Sequence, residues 1–141
     1  MSLRAGRGPE GVSVLLRDGG RVLLVQRGSG GLFPHTWTLP GDELRAGETP
    51  EVAALRVVEE QLGSATAHVR RLRALPQPSP FRDERGPDTL VEVVSWTGEP
   101  TAAQARAEWF TIDSLADIRI FREARDVLRD VDRATPLAVV T

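Results

Sequence analysis

The amino-acid sequence predicts an α/β fold in which two helices flank one mixed β-sheet, as a three-layer α/β/α sandwich. The first observation is the order of patterns, since β-rich apolar runs and helical periodicities follow as β-β-β-α-β-β-β-α. The second is size and composition: 141 residues, 40% hydrophobic and 27% charged, suit one globular domain. No repeat or long linker divides the chain, so we expect a single domain over residues 1–141.

The first half of the chain predicts three strands and one helix. The strands fall at residues 11–17, 21–27 and 36–39, with a tight turn at 18–20 and a Gly-rich loop at 28–35. The helix runs from Pro50 to Leu62, because Thr49 is a good N-cap, proline fits the first helical position and Gly63 is a natural stop. Residues 40–48 then form the loop that leads into this helix.

The second half predicts three further strands and a helix. The strands fall at 65–75, 89–98 and 106–112, with a Pro-rich charged loop at 76–88. A short helix at 113–118 is expected to be capped by Asp113 or Ser114. The helix at 121–133 has Ala124, Val127, Leu128 and Val131 on one face. The apolar tail at 135–141 reads as an edge strand or as a subunit contact in a homodimer.

Composition excludes several classes of function. The formal net charge of −2 gives no reason to expect bulk nucleic-acid binding or membrane-surface binding. Without cysteine there are no disulfides, thiolate metal sites or cysteine nucleophiles. No stretch is apolar enough to span a membrane and the N-terminus lacks a signal-peptide core, so we expect a cytoplasmic protein.

The predicted helix at 50–62 has two different sides at about 100° per residue. We expect the buried stripe to consist of Leu55, Val58 and Leu62. The second side, next to the loop 40–48, would carry any chemistry, and it holds Ala53, Val57, Glu60 and Gln61. Glu59 points about 100° away from Glu60, so these two glutamates do not form a paired carboxylate site.

The stretch LPGDELRAGETPEVAALRVVEEQLG, residues 39–63, resembles the box of the MutT-like Nudix hydrolase family. The family pattern is G-x5-E-x7-R-E-U-x-E-E-x-G-U, where U is a bulky aliphatic residue. The matching positions are Glu48, Arg56, Val58, Glu60 and Gly63, and the departures are Asp42, Val57, Gln61 and Ser64. The flanking WTLPG (37–41) and EWFTIDSLAD (108–117) also resemble family segments. The resemblance implies a Nudix-type α/β/α sandwich.

The resemblance further implies hydrolysis of a pyrophosphate bond in a nucleoside diphosphate linked to another group. Water attacks phosphorus while Mg²⁺ or Mn²⁺, bound by glutamates of the box, neutralises the phosphate oxygens. Of the three usual ligand positions only Glu60 keeps its carboxylate, because Val57 and Gln61 replace the other two. We therefore expect a weakly bound metal ion, and Glu60, Glu48 and Arg56 are the catalytic candidates.

Other carboxylates are candidates to compensate for the two lost ligands. Asp42 and Glu43 are additional metal-ligand candidates if the loop keeps the family's path, and solvated loop charges otherwise. Glu48 lies near the metal or is tied to Arg56 as an ion pair. The downstream loop adds Asp83, Glu84 and Asp88, whose alternative is again a solvated charge.

Substrate clues come from a partial motif and from aromatic side chains. QPSPF (77–81) resembles part of a motif that follows the box in NADH pyrophosphatases, and a Pro at position 80 also fits ADP-ribose pyrophosphatases. We assign Gly41, Asp42 and Phe81 to substrate binding. The tryptophans are candidates to stack on a base, although Trp37 and Trp109 are better explained as core residues.

Three functions remain open from the sequence. The first is a Nudix hydrolase with a weak or rearranged metal site, acting on a nucleotide-type small molecule. The second is a catalytically inactive Nudix-fold module that binds a nucleotide or a protein partner, which Val57 and Gln61 favour. The third is a structural role with the apolar segment 136–140 at a subunit contact. Metal-dependent turnover separates the first from the second, and nucleotide binding separates the second from the third.

Overall fold

The computed structural model describes residues 10–26, 35–75, 88–101 and 106–134. Within them lie seven strands, two α-helices and one short 3₁₀ helix at Asp113–Asp117. The strands are β1 (Gly11–Asp18), β2 (Arg21–Gln26), β3 (Trp37–Thr38), β4 (Gly41–Glu43), β5 (Ala65–Leu75), β6 (Asp88–Thr97) and β7 (Arg106–Thr111), and the α-helices are α1 (Pro50–Leu62) and α2 (Arg122–Ala134).

The strands form one mixed sheet, as predicted. Its main path runs β3-β2-β1-β6-β5, with β4 paired to β1 and β7 paired to β2. Strands β1 and β6 are parallel, whereas the other pairs are antiparallel. The predicted α/β fold with a mixed sheet is therefore confirmed. In the described part of the chain, no helix has the length and apolar composition needed to cross a membrane.

The sheet has an apolar core on each face, and the alternation of side chains along β1 shows the division. Val12, Val14 and Leu16 belong to the core beneath α1, whereas Leu15 belongs to the core beneath α2. The face predicted for α2 is confirmed, because Ala124, Val127, Leu128 and Val131 all lie in the second core. Helix α1 is thus fixed by burial on one face of the sheet. The side of the helix that carries Arg56 and Gln61 contacts β4.

Helix α1 has the bounds that its capping residues predict. The Thr49 hydroxyl accepts a hydrogen bond from the Val52 N–H at 3.2 Å, and Gly63 ends the helix in the left-handed region at φ 65°. The predicted buried stripe is wrong in part, because Leu55 is only half-buried. The fully buried positions are Ala53, Ala54, Val57, Val58 and Leu62. Two residues expected on the outer side therefore pack in the core.

Strand β4 was not predicted, since Pro40 reads as the end of the preceding strand. Its Gly41 pairs with Ser13 of β1, in a register that continues through Asp42 opposite Val12. A Cβ on Gly41 would lie 2.4 Å from the Val12 carbonyl oxygen, so only glycine permits this approach of the two backbones. The loop before α1 is consequently anchored to the sheet at its first residues.

Two smaller expectations also differ from the structure. The N-cap residue of the 3₁₀ helix is Ile112, which makes no side-chain cap, so the predicted capping by Asp113 or Ser114 is wrong. The Ser114 hydroxyl instead donates back to the Thr111 carbonyl oxygen at 2.8 Å. The apolar tail 135–141 and the loops 28–34 and 76–87 lie outside the described residues.

Candidate active site

Arg56 of α1 is the centre of the charged cluster between α1 and β4. Its guanidinium binds both carboxylate oxygens of Glu48, with Nε 2.7 Å from Oε2 and Nη2 2.9 Å from Oε1. Nη1 donates to Asp42 Oδ2 at 2.9 Å, and Nη2 also donates to the Glu43 carbonyl oxygen at 2.9 Å. The side chain is only 10% exposed. Arg56 therefore ties the loop and β4 to the helix.

The ionisation of Glu48 reflects this pairing. Hydrogen bonds from the Arg56 side chain and then from the Arg45 backbone N–H lower the pKa of Glu48 to about 2. The same contact raises the pKa of Arg56 above its ordinary value. Both oxygens of Glu48 are thus engaged by arginine nitrogens, and the ion-pair alternative considered for Glu48 is the arrangement that the structure shows. Glu48 and Arg56 act as a frame for the site.

Glu60 lies at the edge of the cluster and is 48% exposed. Arg45 approaches both of its oxygens, at 3.2 Å from Oε1 and 3.4 Å from Oε2. Arg56 Nη1 lies 3.6 Å from Glu60 Oε1, and the same nitrogen binds Asp42. Glu60 and Asp42 therefore meet at one guanidinium nitrogen. Because both are substantially exposed, neither is committed to a buried ion pair.

The two departures from the family pattern in α1 have distinct structural roles. Val57 is fully buried in the core beneath α1, where its side chain fills apolar space. Gln61 is half-buried, and its Nε2 donates a hydrogen bond to the Gly41 carbonyl oxygen at 3.0 Å. An ionised glutamate could not make this bond, because its side chain has no donor. Gln61 thus joins the last turn of α1 directly to β4.

The donor set does not fit a divalent cation as it stands. Asp42, Glu48 and Glu60 each contact an arginine, and they surround Arg56 instead of a common open point. Among the described residues, no group of three or more His, Cys, Asp or Glu side chains is arranged to hold a metal ion. Hard cations need several oxygen ligands with negative charge. Glu60 and Asp42 are the two carboxylates exposed enough to exchange an arginine for such an ion.

The remaining candidate residues do not all join this cluster. Asp42 is opposite Val12, which faces α1, so the alternation along β4 places Glu43 toward the other face of the sheet. Asp88 is buried at the start of β6, where it accepts a hydrogen bond from the Ser13 hydroxyl at 3.3 Å. Phe81, with the acidic residues at 83 and 84, lies outside the described residues.

The tryptophans divide between the two cores. Trp37 is buried in the core beneath α2 and meets Phe110 edge-to-face at 4.8 Å, which confirms it as a core residue. Trp109 is half-buried, packs against the core beneath α1 and stacks on Trp96 at 5.9 Å. Its indole N–H donates to Glu99 at 3.0 Å. Among the described residues, the ring contacts of both tryptophans are with side chains outside the Arg56 cluster.

Sequence reasoning missed Arg45, which pairs with the one ligand candidate that the box retains. It occupies a variable position of the family pattern, so the motif drew no attention to it. Charge was the available signal, because a basic residue lies three positions before Glu48 in an otherwise acidic loop. The contact with Glu60 joins residues 15 positions apart and follows from how β4 places the loop against α1.

Comparisons with known proteins agree with this architecture. The model of a family described as NUDIX domain matches residues 8–131. The 8-oxo-dGTP diphosphatase of Escherichia coli (strain K12) is 26% identical over 105 residues, which cover 74% of this chain and 80% of that protein. The family match extends over the whole described sheet, α1 and most of α2.

Solved structures show the same fold. The crystal structure of a MutT NUDIX hydrolase from Burkholderia pseudomallei superimposes with a TM-score of 0.74 at 24% identity, covering 87% of this chain and 97% of that one. The NUDIX domain of Shewanella oneidensis NrtR, solved in complex with ADP ribose, gives a TM-score of 0.69 at 17% identity, covering 95% and 93%. At these identities the likeness establishes the fold alone.

Proposed function

Because this chain belongs to the NUDIX domain family, we propose that it is a hydrolase of nucleotide-type small molecules whose metal site is weakened. Its substrate would contain a pyrophosphate bond in a nucleoside diphosphate linked to another group. The single observation that carries the proposal is the retained frame, in which Arg56 and Glu48 hold β4 against α1 with Glu60 exposed beside them. Similarity to an 8-oxo-dGTP diphosphatase supports the reaction class.

The residues present support ligand positioning more strongly than catalysis. Gln61 binds the backbone of Gly41 and Arg56 binds the side chain of Asp42, so both residues of β4 are held against α1. We propose that these residues and Phe81 contact the substrate. Mg²⁺ or Mn²⁺, carried in with the diphosphate, would supply charge neutralisation of the phosphate oxygens. Glu60 and Asp42 would then be the oxygen ligands that the protein contributes, and turnover would be slow.

The proposal is tested by phosphate release from a panel of nucleotides after coupling to a phosphatase. The panel contains nucleoside triphosphates, ADP-ribose, NADH and dinucleoside polyphosphates, each with Mg²⁺, with Mn²⁺ and with a chelator. We expect slow turnover that the chelator abolishes. Glu60→Gln should lower kcat/KM by about 100-fold, because the one carboxylate left at the three usual ligand positions is lost.

Glu59→Gln is the matched control, since Glu59 is the exposed neighbour of Glu60 on the adjacent side of the helix. It removes the same charge from the chain and should leave kcat/KM unchanged. Equal losses for the two variants would show that net charge, and not the position of Glu60, matters. Turnover by wild-type protein that persists in chelator would contradict the proposal.

A second candidate is a binding module without turnover, and the contact between Gln61 and Gly41 favours it. This hydrogen bond closes the gap between α1 and β4 with neutral groups. The NUDIX domain solved with ADP ribose shows that a protein of this fold binds such a compound. Calorimetry with ADP-ribose and with a nonhydrolysable nucleoside triphosphate distinguishes the candidates. Saturable binding with no turnover on any substrate favours the binding module.

A further inference from the structure

At the contact between β4 and α1, oxygen atoms of Gly41, Asp42 and Glu60 accept hydrogen bonds from N–H donors of the chain itself. The Gly41 carbonyl oxygen accepts from Gln61, and both oxygens of Glu60 face Arg45. Asp42 Oδ2 accepts from Arg56, which also lies near Glu60. These oxygens are of the type that bind hard divalent cations. In this structure N–H groups of Gln61, Arg56 and Arg45 bind the oxygens that a cation would otherwise bind.

Gln61 closes its contact only because it is an amide. Its Nε2 carries hydrogens that point to a carbonyl oxygen, whereas an ionised glutamate at the same place would set two acceptors against each other. Such a pair of acceptors is favourable only with a cation between them. The amide therefore makes the contact without any ion, and its N–H group lies beside the Gly41 oxygen where a cation would otherwise bind.

Arg45 acts in a different way, by direct competition. Its guanidinium faces Glu60 with two nitrogens, so a cation that takes either carboxylate oxygen must displace it. The loop backbone also fixes Arg45, because its N–H donates to Glu48 Oε1 at 2.8 Å and its carbonyl oxygen accepts from the Glu48 N–H at 3.0 Å. The backbone of Arg45 is therefore fixed by Glu48, and its exposed side chain extends from there to Glu60.

We infer that Gln61 and Arg45 form an N–H clamp that joins α1 to β4 and to the loop after β4 in place of a divalent ion, and that keeps the affinity for such ions low. The clamp is the pair of contacts from Gln61 to Gly41 and from Arg45 to Glu60. It deepens the proposed function, on which its link to catalysis rests. The low affinity for metal ions then has two causes: the N–H donors of Gln61 and Arg45, and the loss of carboxylates at positions 57 and 61.

The first test is calorimetric titration of Mn²⁺ into wild-type protein and Arg45→Ala. Removal of the competing guanidinium should tighten Mn²⁺ binding by about tenfold. Arg71→Ala is the matched control, because Arg71 makes a similar two-point contact with Glu51 on the same helix. This control should bind Mn²⁺ as wild type does. Unchanged Mn²⁺ affinity in Arg45→Ala would overturn the role given to Arg45.

The second test is thermal unfolding of Gln61→Glu in chelator and in Mn²⁺. In chelator its midpoint should lie below that of wild type, because the new carboxylate faces the Gly41 carbonyl oxygen. Mn²⁺ should raise the midpoint of Gln61→Glu in a saturable way and leave wild type nearly unchanged. Gln61→Met is the control, since it loses the donor without gaining charge, and Mn²⁺ should not stabilise it. A midpoint of Gln61→Glu that Mn²⁺ does not raise overturns the clamp.

The two tests are independent of turnover. If wild-type protein hydrolyses none of the nucleotides but Arg45→Ala binds Mn²⁺ more tightly, the clamp holds and the hydrolase proposal fails. If wild-type protein turns over and neither variant changes its response to Mn²⁺, the clamp fails and the hydrolase proposal stands.

Discussion

Two charged clusters on opposite faces of the sheet are built as inverses of each other. On the α1 side one arginine, Arg56, is surrounded by the carboxylates of Asp42, Glu48 and Glu60. On the other side one carboxylate, Glu92 of β6, binds two arginines, with Arg17 Nε 2.7 Å from its Oε2. Glu92 is opposite Leu15, which faces α2, so this cluster lies away from the box.

The difference lies in which charge is buried and which is left accessible. Glu92 is 8% exposed, so its charge is enclosed by its partners. Its ion pairs with Arg17 and Arg70 join β6 to β1 and to β5. In the other cluster the buried charge is the arginine, and two of its carboxylate partners are 42% and 48% exposed. A cluster that buries a cation and exposes anions remains able to exchange partners. This is the arrangement expected of a binding site.

The largest expected effect on stability is that of Glu92→Gln. The substitution removes the buried negative charge that binds both Arg17 and Arg70, and should lower the free energy of unfolding by about 3 kcal/mol. Urea unfolding measures it. Glu51→Gln removes an exposed pair with Arg71 and should cost less than about 1 kcal/mol. If the two variants lose equal stability, burial of Glu92 does not determine the cost.

Glu48→Gln should have the next largest effect on stability. Arg56 would lose both charged oxygens of its main partner but keep Asp42, so a loss of about 2 kcal/mol in the free energy of unfolding is expected. Urea unfolding again gives the value. Because β4 depends on this frame, turnover should fall as well. A variant as stable as wild type would mean that the frame does not hold β4 to α1.

Acidification should separate Glu48 from carboxylates of ordinary pKa. Its pKa is lowered to about 2 in the folded protein from an ordinary 4.5, so its contribution to stability is complete above 4.5 and is lost as pH falls toward 2. Between pH about 5 and about 3, wild type should therefore lose more stability than Glu48→Gln. Urea unfolding at the two pH values measures the difference. Parallel losses in the two proteins would argue against the lowered pKa.

For Glu92, two opposing influences act on the pKa. Burial alone would raise it, but hydrogen bonds from Arg17 and Arg70 outweigh burial, and the pKa of Glu92 lies below its ordinary value. Its stabilisation is likewise present above the ordinary pKa and lost in acid. Both clusters therefore weaken in the same direction of pH, although their buried charges have opposite sign.

Glu60→Gln should have as small an effect on stability as Glu51→Gln. The pairs of Glu60 with Arg45 and Arg56 are long and solvent-exposed, so the free energy of unfolding should change by less than about 1 kcal/mol. The same variant should lose most of its turnover, as proposed above. Thermal unfolding measures the stability of the variant and phosphate release measures its turnover, both on the same protein preparation. A large loss of stability would show that Glu60 helps to hold the frame formed by Arg56 and Glu48, instead of serving substrate or metal binding.

The sequence was a good guide where local chemistry decides structure. The bounds of α1 and β5 match the prediction. For α1 the reason is that Thr49, Pro50 and Gly63 fix the helix ends by caps that act within a few residues. The face of α2 was equally clear, since its apolar residues follow a strict helical spacing. These features depend on neighbours in sequence, which periodicity and capping rules can read.

The site was less predictable because its contacts join distant segments. Strand β4 forms only through its pairing with β1, which no local pattern in residues 41–43 reveals. The contacts from Gln61 to Gly41 and from Arg45 to Glu60 depend on that pairing. Helical periodicity places Val57 on the side of α1 away from the predicted buried stripe, yet the helix turns its small apolar residues toward the sheet. Tertiary packing therefore decided each of these positions.

The most direct measurement is the Mn²⁺ dependence of wild-type turnover on the best substrate of the panel. A site with Glu60 and Asp42 as its exposed carboxylates, both facing arginines, should need high Mn²⁺ and respond to it without clear saturation. Saturation at low Mn²⁺ would show a complete metal site and would contradict the proposal of a weakened one.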